Sequence, residues 1–469
     1  MTDGGEAAWR GGLALIARLE RAGFEAYLVG GCVRDRLLGR PLHDIDIATS
    51  ARPEQVAALF RKVVPTGLKH GTVTVLEEGR SFEVTTFRRE TAYSDGRHPD
   101  EVAFVSDLSS DLARRDFTFN AMAIGADGRL VDPFGGEADL RGGVVRCVGD
   151  ARERFGEDAL RLLRAVRFAA EFGFALAAET RDGLLARRER LALVAMERVG
   201  AELDKMAAGA DPGRAFALLA DCGLAAHAKE PVAGLLPARE QLPPDARWER
   251  LAGADARWTV LLLAAEAGAE EAAALARRLR FSGKRAAALA AAAAVDERLR
   301  AAGFWRRGDA EERRRAWIRA ALACGKAAAA AWLAAMRAAP TLALRRAAAG
   351  AAAGAAGEPA PGAASDGAPA GGPRPGAGRQ PDEQAGRQPD EPAWWQPDEL
   401  ARWLEDMPAS AVSELAIRGD ELVRLAGRPP GPWVALALAG LLERVALGEV
   451  PNEASALRAY AVSAGFGPA

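Results

Sequence analysis

Cysteine and histidine are scarce in this sequence, four of each in 469 residues. Cys32, Cys147, Cys222 and Cys324 are scattered and never form a Cys-x-x-Cys pair. That spacing argues against a zinc site and against a disulfide framework, and points to a reducing, cytoplasmic setting. His43-Asp44 hints at a metal-dependent phosphohydrolase, but so few histidines leave little material for one. An excess of either charge is missing too. The formal net charge is −2, so no global basic field advertises nucleic acid, and any RNA contact must use local basic patches. Long apolar runs are absent. The stretch "RAAALAAAAAV" is too short to span a bilayer and reads as an Ala-rich buried helix. No basic segment followed by an apolar core opens the chain, so neither a signal peptide nor a membrane partner is expected.

What is present concentrates in "YLVGGCVRDRLLGRPLHDIDIATS", Tyr27 to Ser50. Gly30 and Gly31 end an apolar run, and Cys32 to Leu38 reads as the start of a helix. Such a turn presents backbone N–H groups and a helix N-terminus to an anion, with Arg34 adding charge. The run around Ile45, Ile47 and Thr49 reads as a strand. Alternation then puts Asp44 and Asp46 on one face and the isoleucines in the core. Two adjacent carboxylates repel unless a cation sits between them. Mg²⁺ suits such a pair, because it prefers oxygen ligands and keeps coordination positions for substrate phosphates. A phosphate cradle beside a carboxylate pair points to phosphoryl or nucleotidyl transfer. A capped surface turn with exposed acids is the plainer reading of Asp-x-Asp alone.

The pattern along the chain changes once. Residues 1 to about 25 look like an amphipathic helix, and the segment from Ala26 to Phe134 is strand-rich. "GTVTVLEEGRSFEVTTF" predicts a hairpin turning at Glu78-Gly79, and "NAMAIGADGRLVDPF" a second turning at Asp127-Gly128. From about Glu157 strand signals nearly vanish and helical runs take over. The fold class is therefore α+β, a small mixed sheet with helices followed by a long all-α body. Residues from about Ala348 to Pro392 are rich in Ala, Gly and Pro and carry a short Gln-Pro-Asp-Glu repeat, the composition of a disordered linker.

Two further clusters carry charge. In "RRDFTFNAMA" Arg115 has the fork of donors that matches phosphate oxygens, with Asp116 and Asn120 placed to orient the site or the sugar. In "EDALRLLRAVRFAAEFGF" a single helix from Glu157 would put Asp158 and Arg161 on one face, with Arg164 and Arg167 continuing a basic strip. An ordinary i,i+3 ion pair would explain the first two equally. As a recognition edge, an acceptor beside donors fits cytosine and adenine, which present an amino group beside a ring acceptor. Uracil and guanine reverse that pattern and would leave polar groups mispaired.

With these segments, "EVTTFRRETAYSDGRHP", "DPFGGEADLRGGVVRCVG", "ERVGAELDKM" and "GRPPGPWVALALAGLLERVALGEVPNE", the sequence resembles the bacterial class II CCA-adding tRNA nucleotidyltransferases of the polymerase-β-like superfamily. The resemblance implies a catalytic head (1–150), a base-reading neck (151–215), a body (216–347), the linker (348–395) and a tRNA-binding tail (396–469). It implies that Mg²⁺ is held by Asp44 and Asp46, with Glu83 a candidate third carboxylate. It puts nucleotide contacts on Gly31, Arg34, Arg115, Asp158, Arg161, Arg164 and Arg167, beside the Gly30 turn. A mobile loop for the switch from C to A falls on Arg88 to Val102. The implied substrates are CTP, ATP and the acceptor stem and elbow of tRNA, used by a monomer or homodimer. The alternatives are a poly(A) polymerase or a partial CC- or A-adding enzyme on the same scaffold. A non-catalytic tRNA-binding protein would not need the acid pair.

Overall fold

A computed structural model describes residues 3–91, 101–306, 309–355 and 395–466, which form two compact units. The first comprises residues 1–239 and 278–281, the second 240–277 and 282–469. The predicted body (216–347) is thus divided near residue 239, and the predicted tail shares a unit with most of that body.

The first unit opens with α1 (Asp3–Arg21), which buries Leu15, Ile16 and Leu19. Next come β1 (Ala26–Val29), α2 (Gly31–Leu37), β2 (Asp46–Thr49), α3 (Pro53–Leu59), β3 (Val63–Gly67), β4 (Thr72–Glu77) and β5 (Arg80–Thr86). A two-stranded ribbon, β6 (Arg88–Thr91) and β7 (Glu101–Phe104), follows; the tip of the expected mobile loop, 92–100, lies outside the described residues. Then come α4 (Leu108–Ala113), β8 (Ala123–Ile124) and β9 (Leu130–Val131). The main sheet runs β3-β4-β5-β2-β1-β8-β9, with β2 and β5 parallel and the other neighbours antiparallel. Both predicted hairpins form. Glu78 and Gly79 take φ of 48° and 75°, the left-handed pair that a two-residue hairpin turn requires. Gly128 takes φ of 76° between β8 and β9.

The unit continues through α5 (Gly136–Gly142), β10 (Val144–Val145), α6 (Ala151–Glu157), α7 (Leu160–Glu171), β11 (Ala175–Leu176), α8 (Ala178–Arg187), α9 (Met196–Ala208) and α10 (Pro212–Cys222). Helix α7 buries Leu160, Leu163, Val166 and Phe168 and packs on α9 and α10. It does not begin at Glu157 as expected. Helix α6 ends there, and Asp158 is extended, at φ −126° and ψ 104°.

The second unit is helical: α11 (Gly253–Ala264), α12 (Ala269–Arg278), α13 (Gly283–Ala301), α14 (Ala310–Cys324), α15 (Lys326–Ala338), α16 (Pro340–Ala355), α17 (Pro397–Glu405), α18 (Gly419–Ala426), α19 (Pro432–Ala446) and α20 (Ala454–Ala461). Helices α17 and α19 pack on α14, so body and tail share a core. The linker expectation needs correcting at both ends. Residues 348–355 are helical in α16, and Trp395 is buried, its ring centroid 5.4 Å from that of Trp305. The part between, 356–394, lies outside the described residues. Among the described residues no single helix is long and apolar enough to cross a membrane.

Candidate active site

The phosphate side is built where β1 meets α2. Gly30 takes φ 74° and ψ −129°, a conformation L side chains rarely adopt. A Cβ there would also displace the Arg115 guanidinium, lying 2.7 Å from its Nη1. The turn leads into the first N–H groups of α2, which have no partner within the helix. Arg34, on α2, is held at Asp35 through Nε and Nη2 (3.0 and 2.9 Å) and donates through Nη1 to Asn120 Oδ1 at 2.7 Å. Cys32 is buried and its thiol is pushed up to about 11 by that burial, so it stays neutral and is no nucleophile.

The acidic side comes from strands β2 and β5, with β1 paired beside them. Val29 of β1 pairs with Asp46 of β2, and Asp46 pairs in parallel register with Glu83 of β5. Ile45 and Ile47 are buried as the alternation predicts. Asp44 is exposed and precedes the first paired residue, so the two aspartates do not share a paired strand. Burial, then Glu83 and Asp44, push the Asp46 carboxyl up to about 6 against the pull of Arg115. Arg115 follows α4, whose Asp111 is buried and holds Arg114 and Arg115 at 2.9 and 3.3 Å. The Nε of Arg115 is buried with no hydrogen-bond partner among the described residues.

Asp116 and Asn120 bridge the two sides. Asn120 Nδ2 donates to Asp116 Oδ1 at 2.9 Å, while Arg164 of α7 donates through Nε to Asp116 Oδ2 at 2.7 Å. Burial alone would raise the Asp116 carboxyl, but Arg164, the Asn120 amide and Arg161 outweigh it and hold it at about 2.

Asp158 and Arg161 are not ion-paired with each other. Asp158 Oδ1 accepts from the Leu160 N–H at 3.0 Å, which caps α7 from the break before it. Both its oxygens are gripped by Arg198 of α9, at 3.4 and 3.1 Å. Arg161 is buried and bonds Glu157 Oε2 at 2.6 Å and the carbonyls of Arg154 and Arg114 at 3.1 and 2.8 Å. The expected shared helix face is therefore replaced by a helix break, with each residue held by its own partners.

One cleft of about 410 Å³ nevertheless brings most of the expected residues together. Gly30, Gly31, Arg34, Asp46, Arg115, Asp158, Arg161 and Arg164 line it, with Arg114, Asp116 and Asn120. Asp44, Glu83 and Arg167 are not in that lining. Arg167 turns to Glu202 and Glu171, at 2.7 and 3.0 Å, and lies outside that lining. Arg198 and Asp111 were missed by sequence reasoning. Arg198 lies in "ERVGAELDKM", and no local pattern links it to a residue 40 positions earlier.

The donor set fits a hard cation. Asp46 is largely desolvated, Glu83 and Asp44 oppose the pull of Arg115 on it, and all three acids offer only oxygen. No cluster of three or more histidine, cysteine or acidic side chains is preassembled for a metal among the described residues. A two-carboxylate site completed by substrate oxygens needs none.

A mixed sheet that sets paired acids beside a glycine turn, joined to arginine-lined helices, defines a nucleotidyltransferase. Comparisons with known proteins narrow the class. Residues 26–146 match the poly A polymerase head domain, 173–232 a probable RNA- and SrmB-binding site of polymerase A, and 386–461 a putative second domain of tRNA nucleotidyltransferase. A CCA-adding enzyme of Geobacillus stearothermophilus is 36% identical over 451 residues, 96% of this chain and 95% of that one. A CCA-adding enzyme of Geobacillus thermodenitrificans is 47% identical over 53% of this chain and 61% of that one. The crystal structure of a Bacillus stearothermophilus CCA-adding enzyme in complex with CTP superposes with a TM-score of 0.72 at 32% identity, covering 99% and 98% of the two chains. The chain belongs to the CCA-adding enzymes, a family of tRNA nucleotidyltransferases.

Proposed function

We propose that this enzyme builds the 3′-terminal CCA of tRNA from CTP and ATP without a nucleic-acid template, releasing pyrophosphate, in the cytoplasm. The observation that carries this reading is the cleft in which the desolvated Asp46 carboxyl meets a set of arginines across a glycine turn. Asp46 and Asp44, with Glu83 alongside, would hold Mg²⁺. When bound, such ions lower the pKa of the attacking 3′-hydroxyl and offset charge on the triphosphate.

The chain's own residues do the rest. Gly30 lets the Arg115 guanidinium approach the mouth of α2, where it and the first helix N–H groups would meet phosphate oxygens. Arg34 and Arg164 supply further donors, tied together through Asn120 and Asp116. Asp158 and Arg161 face the same space and supply an acceptor and donors for the incoming base. Exchanging their present partners for base atoms is what selects C and A, because U and G would leave buried polar groups mispaired. The relative crystallised with CTP supports a nucleoside triphosphate as substrate.

The test is direct. Purified protein is given tRNA lacking CCA, or ending in C or CC, with each of the four nucleoside triphosphates and Mg²⁺. Full CCA addition is expected. Unbounded A-tailing would favour poly(A) polymerase, and arrest after CC, or addition of A alone, would identify a partial enzyme.

A further inference from the structure

Phe168, in the middle of α7, has three guanidinium groups around its ring. The Cζ atoms of Arg34, Arg164 and Arg167 lie 5.2, 5.2 and 4.0 Å from the ring centroid. Arg34 also lies 5.1 Å from Phe172, whose ring stacks on Phe168 at 5.5 Å. The ring is itself fixed edge-on by Phe117 and Phe119, with centroids at 5.8 and 5.5 Å, and is 4% exposed. Three cations around one ring repel one another, so attraction to the ring must be set against that repulsion. Each cation has its own carboxylate: Asp35 for Arg34, Asp116 for Arg164, Glu202 and Glu171 for Arg167.

We propose that Phe168 is a positioning residue that holds Arg34 and Arg164 in place while their donors are handed to the nucleotide. The argument is geometric. A guanidinium binds oxygens with the N–H groups at its edge and is attracted to an aromatic ring through its flat face. A carboxylate that orients an arginine therefore occupies the donors that a triphosphate needs. A ring orients the same arginine and leaves those donors available. The ring is buried, so the attraction is weakly screened by solvent. Arg34 comes from the α2 side of the cleft and Arg164 from the α7 side, so one ring keeps two donors from different elements in register. Arg167 keeps its donors on Glu202 and Glu171, and its contact with the ring is an anchor.

This inference rests on the reading above that Arg34 and Arg164 contact nucleotide. Its test replaces Phe168 by 4-fluoro-, 3,5-difluoro- and 3,4,5-trifluorophenylalanine in the full chain. Fluorine withdraws charge from the ring face and nearly preserves its shape. Addition to a tRNA lacking CCA is followed with CTP and ATP, and melting temperature is recorded for each protein. KM for both nucleotides should rise stepwise, by roughly tenfold across the series, with kcat changed less than twofold and melting nearly constant. A purely structural ring would give a flat KM. Arg34→Ala and Arg164→Ala separate the two levels. If they raise KM while fluorination does not, the role of Phe168 is overturned and the nucleotide site stands. If neither arginine variant alters KM, the nucleotide site as drawn fails, and the inference with it.

Discussion

Replacing Asp46 by asparagine should stabilise the metal-free enzyme while abolishing its activity. In the folded chain the Asp46 carboxyl is pushed from 3.8 up to about 6, first by burial and then by Glu83 and Asp44. The sign follows from comparing the two states. Below 3.8 the group is protonated whether the chain is folded or not, and folding carries no charge penalty. Above about 6 it is ionised in both states, and folding must bury the charge. The stability present at low pH is therefore lost as pH rises through about 6. A rise from 3.8 to about 6 at 1.36 kcal/mol per pH unit corresponds to about 3 kcal/mol at pH 8. Asparagine has no charge to bury. Its advantage should be about 2–3 kcal/mol at pH 8, or about 4–12 °C in the melting of a unit this size, and should fade toward pH 4.

The assay is scanning calorimetry of both proteins from pH 4 to 8, with and without millimolar Mg²⁺. The cation should raise the melting temperature of the wild type, because it binds the folded site only, and should leave Asp46→Asn nearly unmoved. Nucleotide addition by the variant should be undetectable. The reasoning would be refuted if the variant melted at or below the wild type at pH 8. It would also be refuted if both proteins had the same pH slope.

Asp158→Ala should relax discrimination between CTP and UTP by roughly 1–3 kcal/mol in kcat/KM. An unchanged ratio would remove Asp158 from base choice. Arg198→Met should relax discrimination in the same direction, yet add little when combined with Asp158→Ala, since the two guanidinium contacts at 3.4 and 3.1 Å act on that carboxylate; additive effects in the double variant would refute the coupling. Gly350→Val should lower the melting temperature of the second unit, because a Cβ at that position would lie 2.8 Å from the Trp305 carbonyl oxygen. Unchanged melting would show that α16 does not pack there.

The head was legible because its signals are local. Glu78-Gly79 and Asp127-Gly128 are turn chemistry, and the alternation around Asp46 names its own buried face. Arg34, Arg115 and Gly30 follow from the same short segments and do meet in the cleft. The errors arose where tertiary partners override a local pattern. "EDALRLLRAVRF" has helix-forming residues throughout, so nothing local marks the break at Asp158. The break exists because the Asp158 side chain takes the Leu160 N–H and Arg198 takes both carboxylate oxygens. Arg167 follows the helical spacing of Arg164, yet Glu202, 35 residues further on, claims it. Residues 348–355 have a linker's composition but continue a helix whose Gly350 fits against Trp305.

The residues of the cleft share a physical logic. In the cleft, the cationic groups Arg34, Arg161 and Arg164 already have carboxylate partners, whereas the Asp46 carboxyl is desolvated with Glu83 and Asp44 near it. On the proposed reading, a nucleotide arriving with its cation would answer both conditions at once: the cation would offset the cost of ionising Asp46, and the phosphates and base would compete for donors now held by Asp35, Glu157 and Asp116. Binding would then be an exchange of partners, with small net change in the number of ion pairs, and such an exchange would be sensitive to which atoms the base presents. A base that returns an acceptor to Arg161 and a donor to Asp158 completes the exchange. One that does not leaves Arg161, 8% exposed, tied to Glu157 and the base unread. Sequence shows which charges are available for this exchange, but their resting partners are set by the fold.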